Sequence, residues 1–248
     1  MTLTGKIALV TGAGKNIGRA IALALARDGA AVAVNGRGDV AAVEEVVGAI
    51  RAAGGAAAAV MGDVSVHEQA RGVVGAAAQA LGGLDILVSN AGLRRQTAYL
   101  EISLAEWREI MSVALDGAFF LSQAAIPHMV ARGGGAIIAM SGMSNHVGTP
   151  NRAHVSASKA GLEGLMRSLA VEFGGQNIRA NCIAPGAIDT VRGASAGVLP
   201  GSLTLAGTPL GRRGTVEEIA AMVRLLAGPE GAYITGQTLH VNGGVFLT

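Results

Sequence analysis

The residues of this 248-residue chain best suited to chemistry lie in a few short runs. Thr11-Gly12-Ala13-Gly14-Lys15-Asn16-Ile17-Gly18 follows the apolar run Ile7 to Val10 and opens a stretch of helical period. Small residues at a strand-to-helix turn let the backbone approach a pyrophosphate. The helix start adds unpaired N–H groups at the positive end of its dipole. With 38 glycines in the chain, a purely structural turn is the competing reading. Lysine occurs only at Lys6, Lys15 and Lys159, so a lysine inside a motif is unusually informative. His146 and His154 both precede Lys159, and histidine titrates near neutral pH without special tuning. Cys182 is the only cysteine, which excludes an intrachain disulfide and a Cys-rich zinc site and fits a reducing cytoplasm.

The elements that must position these groups follow from periodicity. Half the residues are hydrophobic and 15% are charged, enough to bury a sizeable core. Net charge is +2, but the cations are scattered arginines, so nucleic acid is not an expected partner. Met1 to Thr11 lacks a signal-peptide pattern and the later apolar stretches are interrupted, so neither secretion nor membrane spanning is expected. Seven nearly continuous apolar runs read as parallel strands: Ile7 to Val10, Ala31 to Val34, Ala57 to Val60, Ile86 to Val88, Ala136 to Met140, Ala180 to Ile183 and Leu239 to Val241. Between them Gly18 to Arg27, Val40 to Ala53, Val66 to Leu81, Leu104 to Arg132, Val155 to Phe173 and Val216 to Leu226 read as helices, the fourth with Pro127 near its end. The expected architecture is α/β: a single-domain, Rossmann-like, doubly wound parallel sheet of seven strands over residues 1–248, with helices on both faces. Val191 to Gly214 loses periodicity and reads equally as a substrate flap or as a tolerated insertion.

The glycine turn resembles the Thr-Gly-x-x-x-Gly-x-Gly cofactor turn of the short-chain dehydrogenases/reductases, with Asn16 in place of the middle glycine. After Gly, Asn best tolerates positive φ. The resemblance covers nearly the whole chain. It implies that Gly12, Gly14, Lys15, Asn16, Ile17 and Gly18 cradle the pyrophosphate and that Asp63-Val64 holds the adenine. It further implies that Asn90-Ala91-Gly92 borders the cofactor, and that Pro185-Gly186-Ala187-Ile188-Asp189-Thr190 meets the nicotinamide amide through Thr190. Tyr233 to Gln237 and Val241 to Gly244 match the family's C-terminal packing strand. A carboxylate after the second strand would select NAD(H). Here Gly36 stands there, Arg37 follows, and Lys15 is a second cation, so NADP(H) is favoured over NAD(H).

The family's catalytic set is a Ser, a Tyr acting as general acid/base, a Lys four residues later and a relay Asn. In register, Lys159 takes the lysine position. Val155 stands at the tyrosine, Gly142 at the serine with Ser141 beside it, and Ala114 at the asparagine. Tyr99 and Tyr233 have no lysine four residues on. His154, His146 and Ser144 form a substitute set. His154, however, is rotated about 100° from Val155 on a helix and reaches the site only if the helix starts at or after it. Arg94, Arg95 and Arg152 lie where the substrate mouth of the family opens, and would attract an anionic substrate or form a solvated rim. The resemblance implies an oxidoreductase acting on a small carbonyl or alcohol with His154, His146, Ser141 or water near the proton. The competing reading is a catalytically silent cofactor-binding regulator, or the silent subunit of a hetero-oligomer; a cofactor-bound lyase or isomerase is a third. A homo-oligomer, dimer or tetramer, is expected by the same resemblance.

Overall fold

The computed structural model describes residues 3–191 and 208–247. Short apolar runs form the strands: β1 (Ile7–Val10), β2 (Ala31–Gly36), β3 (Ala57–Met61), β4 (Ile86–Ser89), β5 (Gly135–Met140), β6 (Ile178–Pro185) and β7 (Thr238–Val241). They pair in parallel in the order β3-β2-β1-β4-β5-β6-β7. The order reverses between β1 and β4, so a crevice opens beyond their carboxyl ends, which is where such sheets bind ligands.

Alternate strand residues enter two separate cores. Ala8 and Val10 face one core with α1 (Asn16–Arg27), α2 (Val40–Ala52) and α8 (Val216–Ala227). Ile7 and Leu9 face the other with α3 (His67–Leu81), α5 (Gly117–Ala131) and α7 (Ala153–Phe173). Side chains set the starts of α2 and α8: Asp39 accepts from the Ala42 N–H, and Thr215 with Glu218 closes a reciprocal capping box.

The expected fold holds, with five corrections to its elements. The first helix begins at Asn16, two residues before Gly18, and the third begins at His67 rather than Val66. The Val155 helix begins earlier, at Ala153, and the short α6 (Ser144–Val147) was not expected. The run Leu104 to Arg132 is not one regular helix. It comprises α4 (Leu104–Met111), a π-helical turn over Ser112–Asp116, and α5 with Pro127 inside. Gly117 closes that turn against the Val64 carbonyl, where a Cβ would lie 3.1 Å away. Leu104–Ala131 is long and apolar enough to cross a bilayer by length and composition, but Leu121, Ala125 and Met129 are buried in the second core. Of the flap expected at 191–214, residues 192–207 lie outside the described residues.

Candidate active site

The crevice is a cavity of about 460 Å³ at the ends of β1, β4 and β5. At its centre Thr11 and Asn90 lace two loops together. The Thr11 hydroxyl donates to the Val88 carbonyl (3.3 Å) and accepts from the N–H groups of Asn90 (3.0 Å) and Ala91 (3.1 Å). The Asn90 amide donates to the carbonyls of Thr11 (2.8 Å) and Gly12 (3.1 Å). This places Gly18 so close that a Cβ would sit 2.3 Å from the Gly12 carbonyl oxygen, so no side chain fits there. Asn16 adopts φ +51°, as the substitution of a turn glycine requires. Its side-chain amide also donates to the Val191 carbonyl and accepts from the Val191 N–H, both at 3.0 Å.

Gly12, Lys15, Asn16, Ile17, Gly18, Arg37, Asp63, Val64, Asn90, Ala91, Gly92, Pro185, Gly186 and Ile188 all line the cavity. Two expected cofactor residues do not. Gly14 faces α2, its Cβ position 3.2 Å from the Ala42 methyl, because the turn carries it past the crevice. Thr190 lies off the wall and its hydroxyl accepts from the Arg94 guanidinium (3.3 Å). Asn35, which the sequence reading did not single out, is buried on the wall and donates to the Val60 and Gly62 carbonyls. At the same end Arg37 lies 3.6 Å from Asp63. Burial works against the Asp63 carboxylate, but the bonds from Ser65 and the Arg37 charge together hold its pKa below the ordinary value. The bare turn, the space and the Lys15/Arg37 cations fit a nicotinamide dinucleotide.

At the opposite end Lys159 reaches the cavity from α7, and its ammonium donates to the Met140 carbonyl (2.6 Å). Desolvation, assisted by the nearby Arg94 charge and opposed by Cys182, lowers its pKa to about 8. Val155 lines the wall one turn earlier. Gly142 lies in open space, with only the Ser144 hydroxyl 4.0 Å from its Cβ position. Ala114 is buried within the π-helical turn.

Of the substitute proton donors, Ser144 borders the cavity beside Gly142, whereas the two histidines are not brought to this end. His154 is fully buried and its Nε2 lies 3.0 Å from Glu106 of α4, because α7 starts before it and turns it away from the Val155 face. Glu106 also accepts from Thr97 (2.6 Å). Ser141 borders the cavity, but its hydroxyl donates to Glu163 (2.5 Å). The same Glu163 oxygen accepts from Asn145 (3.0 Å) and lies 2.9 Å from His146 Nε2. His146 meets His240 edge-on and lies tilted against Phe246, away from the wall. Burial raises the Glu163 pKa less than these bonds lower it, so the carboxylate stays ionised. Glu163 stands four residues after Lys159, and an acid amid the apolar residues of α7 was the sequence signal for it. Of the expected anion-attracting arginines, Arg94 and Arg152 line the cavity, whereas Arg95 is paired with Glu109 (2.7 Å).

This chain belongs to the short-chain dehydrogenase/reductase family of oxidoreductases: the family described as enoyl-(acyl carrier protein) reductase matches residues 12–246. The 3-oxoacyl-[acyl-carrier-protein] reductase FabG of Staphylococcus aureus is 39% identical over 244 residues, covering 98% of each chain. Among solved structures, a blue fluorescent protein from a metagenomic library in complex with NADPH superposes with TM-score 0.92 at 35% identity, covering all of both chains. A 7α-hydroxysteroid dehydrogenase complexed with NADH and 7-oxo glycochenodeoxycholic acid gives TM-score 0.92 at 34% identity, covering 98% of this chain and 95% of that one. Relatives thus include complexes with either nicotinamide dinucleotide.

Proposed function

We propose that this chain is an NADP(H)-dependent oxidoreductase of small carbonyl and alcohol compounds in which water, rather than a side-chain phenol, carries the proton. The observation that carries the reading is Lys159, one of three lysines in the chain, recessed at the end of the cavity where its relatives' lysine is expected. When bound, the nicotinamide supplies the hydride chemistry. Lys159 holds the ribose hydroxyls and orients the water that gives the substrate oxygen its proton. Gly12, Lys15, Asn16 and Ile17 take the pyrophosphate, and Arg37 with Lys15 takes the 2′-phosphate, which supports NADP(H) over NAD(H). Val64, Ala91 and Ile188 give the rings apolar walls.

A catalytically silent cofactor-binding module, or silent subunit of a hetero-oligomer, is favoured by one observation: Ser141 and His146 are engaged by the buried Glu163 carboxylate, and His154 Nε2 by the half-buried Glu106. Titration of NADPH and NADH by nucleotide fluorescence, followed by a carbonyl and alcohol panel, separates the two. Turnover above that of Lys159→Ala supports the oxidoreductase; tight binding with no such turnover refutes it. The exposed apolar residues Phe119 of α5 and Val171 of α7 support a homotetramer built on these helices. A monomeric mass in sedimentation refutes that assembly. A cytoplasmic setting accords with the single, buried Cys182.

A further inference from the structure

Two of the three lysines face water: Lys15 is exposed, and Lys6 is half-exposed and paired with Asp85 (3.4 Å). Lys159 is the exception. Its Nζ reaches the cavity wall, where its one hydrogen-bond partner among the described residues is the Met140 carbonyl (2.6 Å). Among those residues no carboxylate is paired with it. Asp63, the one acid on the described wall, stands at the adenine end beside Arg37. Glu163, one turn further along α7, is taken by Ser141, Asn145 and His146.

The space around this nitrogen is open and apolar. Gly92 brings only backbone to it, its Cβ position lying 3.5 Å from Nζ. Gly142, two residues beyond Met140, has only the Ser144 hydroxyl at 4.0 Å from its Cβ position. Val155, one turn before Lys159, makes the adjoining wall apolar together with Val113 and Met143. Desolvation in such a place lowers the lysine pKa to about 8, so about half of it is free amine at pH 8. An amine that donates one N–H to Met140 keeps its lone pair for bond formation, and an apolar pocket is one of the settings in which lysine attacks carbonyl carbons.

We propose that, when no nucleotide fills the cavity, Lys159 is a carbonyl-capturing nucleophile that forms an imine with small apolar aldehydes and ketones. The Nζ lone pair attacks the carbonyl carbon, and the π pair moves to the oxygen, which takes a proton from nitrogen. The carbinolamine then loses that oxygen as water together with the second amine proton, leaving C=N. No oxidant, reductant or co-reactant is consumed. A water-poor site favours the expulsion of water, and the imine, once protonated, has an N–H for the Met140 carbonyl. This activity does not rest on hydride transfer. It uses the same lysine without the nucleotide, so carbonyl compound and nucleotide exclude each other.

The test is reductive trapping: nucleotide-free protein is incubated at pH 8 with butanal and sodium cyanoborohydride, and peptide mass spectrometry reads the alkylation of each lysine. Lys6 and Lys15 are internal references in the same molecule, and exposure alone would favour them. Lys159 is expected to be alkylated at least about tenfold faster than either, because about half of an amine of pKa 8 is neutral at that pH against under about 1% of a lysine in water. NADP⁺ at about ten times its calorimetric Kd or more is expected to slow Lys159 at least about tenfold, as exclusive occupancy requires. Alkylation of Lys6 or Lys15 as fast as that of Lys159 overturns the proposal. So does an unchanged rate at Lys159 when calorimetry shows NADP⁺ bound. Failure of NADP⁺ to bind refutes the cofactor reading instead, and the ratio of Lys159 to the other two lysines then decides the capture alone.

Discussion

Refurnishing the cavity wall with the groups that relatives use there gives the most searching test. Val155 shares a face of α7 with Lys159, one turn and about 6 Å earlier along the axis. A phenol at that position projects into the 460 Å³ cavity rather than into a packed core. Gly142 has no atom nearer than 4.0 Å to its Cβ position, so a hydroxymethyl group is accommodated without moving the backbone. General acid catalysis contributes about 10² to 10⁴ in rate, or about 2.7 to 5.5 kcal/mol of barrier. The double variant Val155→Tyr/Gly142→Ser is therefore expected to reduce a ketone or a 3-oxoacyl thioester at least about 100-fold faster than the wild type. The assay is loss of NADPH absorbance at saturating cofactor, with Lys159→Ala in the double-variant background as the control that returns the rate to baseline. A double variant that is folded, binds NADPH as tightly as the wild type and gains no activity refutes the reasoning. The defect would then lie in positioning rather than in the missing acid.

Other consequences follow from individual contacts. Gly18→Ala is expected to abolish NADPH binding, because its methyl would lie 2.3 Å from the Gly12 carbonyl, whereas Gly72→Ala on open α3 leaves fluorescence titrations unchanged. Glu163→Leu strands three donors and is expected to cost about 3 kcal/mol in urea unfolding at pH 7. Because the folded-state pKa of Glu163 is depressed, its contribution is present above the ordinary 4.5 and is lost as pH falls through the folded value. The gap between wild type and variant must narrow in acid; a constant gap refutes the ionised assignment. Lys159 should acylate with a midpoint near pH 8 and be protected by NADP⁺, a midpoint near 10 being inconsistent with its desolvation.

What could be read from the sequence depended on the range of the interactions involved. The strands were legible because parallel strands covered on both faces are apolar throughout, as Ile7–Val10 and Ile86–Ser89 are. The cofactor turn was legible because a positive φ at Asn16 and the lack of room at Gly18 leave few residue choices. His154, His146 and Ser141 were misread for lack of their tertiary partners, whereas Ser144 does border the cavity. Nothing near His154 in sequence announces Glu106, 48 positions away, and nothing near Ser141 announces Glu163. The start of α7 at Ala153 decided His154, since the helical phase then turns its ring toward α4. The π-helical turn at Ser112–Asp116 was hidden for a related reason: an extra residue in one turn leaves an apolar pattern almost intact.

That wide turn bears on the future use of the cleft. Such turns concentrate at functional sites. This one persists around Ala114, a methyl group that needs no special backbone. Gly142 and Val155, which line the cavity, can each be exchanged without an insertion or deletion, so new reactive groups on its wall are two codons away. The cleft is in that sense a mounting frame, in which the backbone holds positions open to side chains of other chemistry.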